Sequence, residues 1–370
     1  MTTGDRAEIV QRACSRFLTG HGHVTPRQAI ELLLEDVPAD METDTYGSGE
    51  VIESLEAETA AILGKEAAIF MPSGTMAQQV ALRIWSERTG RKTVAMHPLN
   101  HLDFHENYAY QRLHDLQSIA LIKPPGLERL LTVDDLRQSG GSPGMLLLEL
   151  PQREIGGQLP DWNDLVGMTS WARSRGAVVH MDGARLWECQ PFYGRSYAEI
   201  CSLFDSVYVS FYKIIGGIAG AALAGPKDFI EEARVWRHMH GGRLIRMFPM
   251  VVSAKRGLDD RLGRMAAYHD KAVEIAGSLQ DIDSVEIVPD PPHTNMMHLF
   301  LRANESRLLD AALDLSEETG IWITGRLIAS PIPAYARWEW TVGDATLEIP
   351  TGEIADLIGR WLNMATHAAD

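Results

Sequence analysis

"SVYVSFYKIIGGIAGAALAG", residues 206–225, is a β-branched and aromatic run, then a lysine, then a stretch with almost no bulky polar residue. Residues 206–210 and 220–225 each read as a strand that is apolar on both faces. Lys213 stands between them, although an ammonium group ordinarily stays where water reaches it. A lysine at this place either snorkels out past the sheet edge, or sits among apolar neighbours that lower its pKa and free it to act as a nucleophile.

Working outward, the same texture recurs. "AAIFM" (67–71), "TVAM" (93–96), "SIALI" (118–122), "MLLLEL" (145–150) and "AVVHM" (177–181) are short apolar runs bounded by turn residues, which with 206–210 and 220–225 make seven strands. Between them, 75–90, 161–176 and 226–242 carry helix-period apolar spacing with glycine stops. Strands apolar on both faces and separated by helices predict a mostly parallel sheet covered on both sides, an α/β architecture. The texture changes at "VEIVPDPPHTNMMHLFL" (285–301), and "GIWITG", "RWEWTV" and a closing helix complete a smaller α+β unit. The expected organisation is an N-terminal segment 1–45, a large domain 46–255 and a small C-terminal domain 256–370.

Composition narrows the function. The 370 residues are 45% hydrophobic and 23% charged, enough to bury a large core. Against 34 Lys and Arg stand 50 Asp and Glu, a net charge of −16 without a basic cluster, which argues against nucleic acid and anionic membranes as partners. Three scattered cysteines supply neither a disulfide framework nor a CxxC metal site. With no N-terminal apolar h-region and no run of about 18 apolar residues, a cytoplasmic protein is expected.

Four strand ends carry polar residues that a core does not need. "FMPSGTMAQQVA" runs from a strand through Ser73, Gly74 and Thr75 into a helix, whose free N–H groups suit a phosphate; the same triplet also serves as an ordinary turn and N-cap. Asp182 of "VVHMDGARLW" can cap a turn or pair with a protonated ring nitrogen. Lys213 ends the next strand. "HPLNHLDFHENYAY" clusters His97, His101, His105 and Glu106, but without a close second carboxylate, a cysteine or HExxH, so stacking or hydrogen bonding is expected rather than a metal site. A phosphate cradle, an aspartate about 110 residues on and a lysine roughly 30 beyond it suit pyridoxal 5′-phosphate (PLP), which needs a Schiff-base lysine, a carboxylate for its ring nitrogen and a phosphate site.

The wording goes further than the order. "TYGSGEVIESLEAETAAILGKEAAIFMPSGTMAQQVAL" (45–82), "HMDGARLW" and "DSVYVSFYK…GAALAG" resemble the threonine aldolase and β-eliminating lyase family of fold-type I PLP-dependent enzymes, from about residue 44 to 237. The resemblance implies that fold: a seven-stranded, mostly parallel sheet in a large PLP-binding domain, with a small α+β domain. It implies that Ser73, Gly74 and Thr75 bind the phosphate, that His101 stacks on the pyridine face, that Asp182 pairs with the ring nitrogen, that Arg185 holds the substrate carboxylate, and that Lys213 carries the cofactor.

The departures fall on the substrate side. The family's N-terminal "Ser-Asp-Thr" is "LTGHGHVTP" (18–26) here, leaving His21 or His23 in the serine's place. "Glu-Asn-Thr-His" is "ELPQ" (149–152), so a histidine near the substrate hydroxyl becomes Gln152, which is no base at neutral pH; proton abstraction falls to His101 or another group. "Gly-Gly-Gly-Met-Arg-Gln" is "HGGRLIR" (240–246), leaving Arg243 or Arg246 to reach a phosphate, as in the family across a subunit boundary. Trp338 stands near the expected C-terminal arginine, and the Trp-rich segment is a candidate contact for the substrate side chain. The expected activity is PLP-dependent cleavage or formation of the Cα–Cβ bond of a β-hydroxy-α-amino acid by a homodimer or homotetramer. The alternatives are β-elimination or another lyase or transferase reaction on an amino acid, and a binding or assembly subunit without catalysis. An NAD-binding Rossmann enzyme is disfavoured because no GxGxxG follows the first strand.

Overall fold

The computed structural model describes residues 3–124, 127–139, 141–330, 332 and 334–367. Seven strands form one sheet: β1 (Ala67–Met71), β2 (Thr93–Met96), β3 (Gln117–Ala120), β4 (Met145–Glu149), β5 (Val178–Gly183), β6 (Ser206–Ser210) and β7 (Ala221–Gly225). Their order is β1-β7-β6-β5-β4-β2-β3, with β7 antiparallel to both its neighbours and every other pair parallel. The mostly parallel α/β sheet expected from the apolar runs is present. β6 and β7 are buried along their whole length, as strands covered on both faces must be.

Several strand ends differ by a residue or two from expectation, and the end of β5 matters below. β3 begins one residue earlier, at Gln117, and β5 continues to Gly183, so that Asp182 belongs to the strand itself. In register, Glu149 of β4, Asp182 of β5 and Tyr208 of β6 stand side by side. One row down, Leu147, His180 and Ser206 do the same.

The helix Gly74–Thr89 starts where Ser73, in extended conformation, accepts the Met76 N–H on its hydroxyl at 3.2 Å, and it ends at Gly90 in the left-handed region. It covers β5, β6 and β7. Its inward face buries Ala77, Gln78, Val80, Ala81, Ile84 and Trp85, and Trp85 stacks on Phe229 of the helix Lys227–Met239 with centroids 4.7 Å apart. Such aromatic pairs add about 1 kcal/mol beyond their buried area. The helix Trp162–Ser174, capped by Asp161, crosses from β4 to β5.

Backbone contacts divide the chain into two compact units. The larger holds Arg27–Glu154 and Leu159–Gly263; the smaller holds the residues up to Pro26, Ile155–Gln158, and those from Arg264 on. The boundary expected near residue 255 falls inside the helix Phe248–Arg261, and the expected N-terminal segment divides between the units after Pro26.

In the smaller unit, β8 (Val285–Val288), β9 (Met296–Leu301), β10 (Ile328–Ala329) and β11 (Ala336–Thr341) form an antiparallel sheet ordered β10-β11-β9-β8. Arg16–Phe17 pairs in parallel with Ile321–Trp322, which ties the N-terminal residues to this unit. Trp338 and Trp340 stack at 4.6 Å and are both buried, Trp338 also lying edge-on to Trp361 at 5.4 Å. The Trp-rich segment is therefore core of the smaller unit and not an exposed substrate contact; alternation along β11 turns both rings to the same, covered face.

Candidate active site

Strand ends bring the polar residues of the larger unit together. A small pocket is lined by His101, Glu149, Pro151, Arg153, Asp182, Arg185 and Lys213. Lys213 follows β6, and its ammonium is pulled down to about 8 by burial first and then by the Arg185 guanidinium, against the pull of Asp182, Glu149 and Glu188. A lysine lowered this far has an appreciable neutral fraction near physiological pH, which is the form that attacks a carbonyl.

Asp182 is buried at 1% exposure. Its Oδ1 accepts the Ala184 N–H at 3.2 Å, while Oδ2 is buried with no hydrogen-bond partner. Burial pushes the carboxyl up from its usual range, and the Lys213 ammonium opposes this. A buried carboxylate oxygen without a donor is unfavourable by about 1–3 kcal/mol or more unless something fills it, and a protonated ring nitrogen would do so. Glu149, its neighbour across the strands, is raised to about 8 by burial and by the charge of Asp182.

His101 opens the short helix His101–Phe104, capped by Asn100. Its imidazole is pulled down to about 3 by burial, then by Lys213, His105, Arg153 and Arg185, so it is neutral. Its Nε2 lies 3.9 Å from Glu106 Oε1. Glu106 is buried, accepts from Gln79 Nε2 at 3.0 Å, and is raised to about 7 by burial and by Asp182. Arg185 is mostly buried, with Nη1 3.5 Å from Glu188.

The Ser73–Gly74–Thr75 turn begins the helix Gly74–Thr89, so its first N–H groups point out of the helix end. Gly74 is fixed by space: a Cβ there would lie 1.9 Å from the Tyr208 hydroxyl. Arg243 and Arg246 are engaged elsewhere, Arg243 donating to Tyr46 O and Arg246 to Thr45 Oγ1, both at 3.1 Å. Asp44 secures that loop by accepting the N–H groups of Met247 and Phe248. Gln152 donates to Leu99 O at 2.7 Å and to Glu149 Oε2 at 3.0 Å. His21 lies in the smaller unit, where its Nδ1 is 3.0 Å from Asp344.

Some residues of this site carry no local sequence signal. Arg153, which donates to His105 Nε2 at 3.0 Å, and the buried Gln78 and His180 stand out only once the strands are paired. Among the described residues no group of three His, Cys, Asp or Glu side chains is placed to hold a metal ion.

A sheet that carries a half-buried lysine, a buried aspartate with one unfilled oxygen and an open helix N-terminus at its strand ends has the parts of a fold-type I PLP-dependent enzyme. Residues 31–304 match the Beta-eliminating lyase family. A putative L-allo-threonine aldolase from Listeria monocytogenes is 40% identical and superposes with a TM-score of 0.91, covering 98% of this chain and 99% of that one. The low specificity L-threonine aldolase of Escherichia coli K12 is 29% identical over 268 residues, 71% of this chain and 77% of that one. An uncharacterized protein of Caenorhabditis elegans is 28% identical over 245 residues, and there the match spans only 58% of the relative's length. The chain belongs to the beta-eliminating lyase family and is a PLP-dependent, threonine-aldolase-like lyase.

Proposed function

We propose that this protein cleaves, or in reverse forms, the Cα–Cβ bond of a β-hydroxy-α-amino acid, giving glycine and an aldehyde. The unfilled, buried Oδ2 of Asp182 carries the cofactor in this reading, because it suits a ring nitrogen that is protonated, and the likeness to threonine aldolases supports the bond that is broken. PLP, when bound, supplies a sink for the electron pair released at the substrate's Cα. Lys213 would hold it covalently, Ser73, Gly74 and Thr75 its phosphate, and His101 one face of its ring.

The chain's own residues then have separable tasks. Arg185 binds the substrate carboxylate and so selects which Cα bond stands perpendicular to the ring. His101 is neutral and can accept the β-hydroxyl proton; burial first, and then the charges of Lys213, Arg153 and Arg185 among its neighbours, hold its basicity down, so neutralising Lys213 and Arg185 removes part of that restraint. Gln152 holds Glu149 and the Leu99 carbonyl and supplies no base.

We further place the protein in the cytoplasm as a homodimer or homotetramer. Exposed Tyr46, Tyr212, Ile218, Leu244 and Ile245 support a partner surface, as does the helix Pro26–Asp36, which buries none of its residues. On this view Arg243 or Arg246 serves a phosphate across the boundary. A strictly monomeric, active protein by light scattering would remove both statements.

Incubation with threonine, allo-threonine, bulkier β-hydroxy amino acids and β-substituted alanines tests the reaction. Glycine with an aldehyde supports it. A keto acid with ammonia as the sole product, and no glycine from any β-hydroxy substrate, would replace it with β-elimination.

A further inference from the structure

His180 and Asp182 stand two residues apart on β5 and so share one face of the sheet. Beneath Asp182 the side chains form a line. Trp85 Nε1 is 2.7 Å from Ser206 Oγ, Ser206 Oγ is 2.7 Å from His180 Nδ1, and His180 Nε2 is 2.8 Å from Gln78 Oε1. Gln78, His180 and Ser206 are completely buried. At the end of the line, Gln78 Nε2 and Asp182 Oδ2 are each buried without a hydrogen-bond partner, yet the Gln78 amide lies near enough to favour the ionised form of Asp182.

The donors and acceptors allow two proton arrangements. An indole N–H can only donate, so Ser206 Oγ accepts from Trp85. In the first arrangement the Ser206 hydroxyl donates to His180 Nδ1, His180 Nε2–H donates to Gln78 Oε1, and the amide NH2 of Gln78 faces Asp182. In the second, His180 Nδ1–H donates to Ser206, whose own hydrogen then has no acceptor in the line. His180 Nε2 becomes an acceptor, and Gln78 must turn over to present its carbonyl oxygen to the Asp182 carboxylate. The second arrangement leaves the Ser206 hydroxyl without an acceptor among these side chains and sets two acceptors face to face, which is unfavourable where water is excluded. The first pairs Trp85, Ser206 and His180 throughout, turns the donor end of Gln78 toward the carboxylate, and requires a neutral imidazole, which burial enforces.

We infer that Gln78, His180 and Ser206 form a positioning chain for Asp182, fixing the direction of the Gln78 amide so that its NH2 end holds the carboxylate charged and aimed at the ring nitrogen of PLP. The inference rests on the proposed role of Asp182. An oxygen with two lone-pair directions can accept from both the amide and the ring nitrogen.

Equilibrium dialysis of PLP against the purified protein separates the two ideas. Asp182→Ala should weaken retention of the cofactor; if it does not, the role of Asp182 itself falls. With that loss established, Gln78→Leu and His180→Phe should each weaken retention roughly tenfold, and His180→Gln, which keeps an N–H near the Nε2 position, should recover most of it. Undiminished retention in folded Gln78→Leu and His180→Phe would overturn the chain while leaving Asp182 in place. Should these buried variants fail to fold, ¹⁵N-histidine NMR of the unaltered protein decides by itself. His180 is expected as the Nε2–H tautomer; the Nδ1–H tautomer, or an imidazolium, would overturn the inference.

Discussion

Gln152 donates to Glu149 Oε2 at 3.0 Å, and its other tie, at 2.7 Å, goes to the Leu99 carbonyl. Both hydrogens of the amide are thereby engaged inside the protein, and the side chain is a brace at the pocket wall. An imidazole has one N–H when neutral, so Gln152→His keeps only one of the ties and leaves a basic nitrogen. We expect the variant to lose about 1 kcal/mol of stability and to gain on threonine relative to bulkier β-hydroxy substrates. An unchanged ratio of kcat/KM values would take position 152 out of substrate selection.

His101→Phe retains an aromatic face and removes the nitrogen. We expect it to bind the cofactor and lower the cleavage rate by about 10²-fold or more. Because the imidazole is held down to about 3, the free enzyme's kcat/KM profile should show no ionisation of His101 between pH 5 and 8. Full activity of His101→Phe would pass the proton-accepting role to another group, Glu149 being a further titratable side chain of the same pocket lining.

Lys213→Ala should abolish the visible absorption of covalently held cofactor. Borohydride treatment of the parent protein followed by peptide mapping should label Lys213. Label on any other lysine contradicts the assignment.

Gly74→Ala brings a methyl group to within 1.9 Å of the Tyr208 hydroxyl and 2.5 Å of its ring carbon. The Tyr208 side chain is buried. Overpacking of this kind costs about 1–3 kcal/mol, and the displaced helix start should weaken PLP retention as well. Equal melting temperatures for variant and parent would show the turn to be more yielding than its contacts indicate.

Glu106 links stability to pH. Its folded-state pKa is raised from 4.5 to about 7, so between those values the folded protein holds a proton that the unfolded chain releases, and stability falls as pH rises. The contribution is fully present below pH about 4.5, is lost as pH rises through 7, and amounts to something on the order of 3 kcal/mol. In the apoprotein, Glu106→Gln should remove that part of the decline. Denaturant unfolding of both proteins at several pH values measures it, and parallel curves would mean that Glu106 titrates normally.

Much of this protein is determined locally and can be read from the chain. The seven strands announce themselves because a strand covered on both faces must be apolar throughout, and the helix starting at Gly74 because Ser73 supplies the acceptor its first turn lacks. Lys213 and Asp182 stand out because charged residues at the ends of such strands have no packing reason to be there. What tertiary structure alone decided depends on partners distant in the sequence. Strand register sets Glu149 beside Asp182, 33 positions away, so that the charge of Asp182 adds to burial in raising the Glu149 carboxyl. Ser206, His180, Gln78 and Trp85 come from two strands and a helix, and although three of them lie within stretches that carry the family resemblance, nothing in those stretches shows that the side chains meet. The tryptophans of β11 read in the sequence as a substrate contact, because a large aromatic suits a pocket as well as a core; the pairing of β11 with β9 and the packing of Trp361 put them in the core instead. The N-terminal residues likewise join the smaller unit through two backbone pairs with Ile321 and Trp322. A two-residue strand has too little periodicity to be seen in a sequence, so only the folded chain could place it.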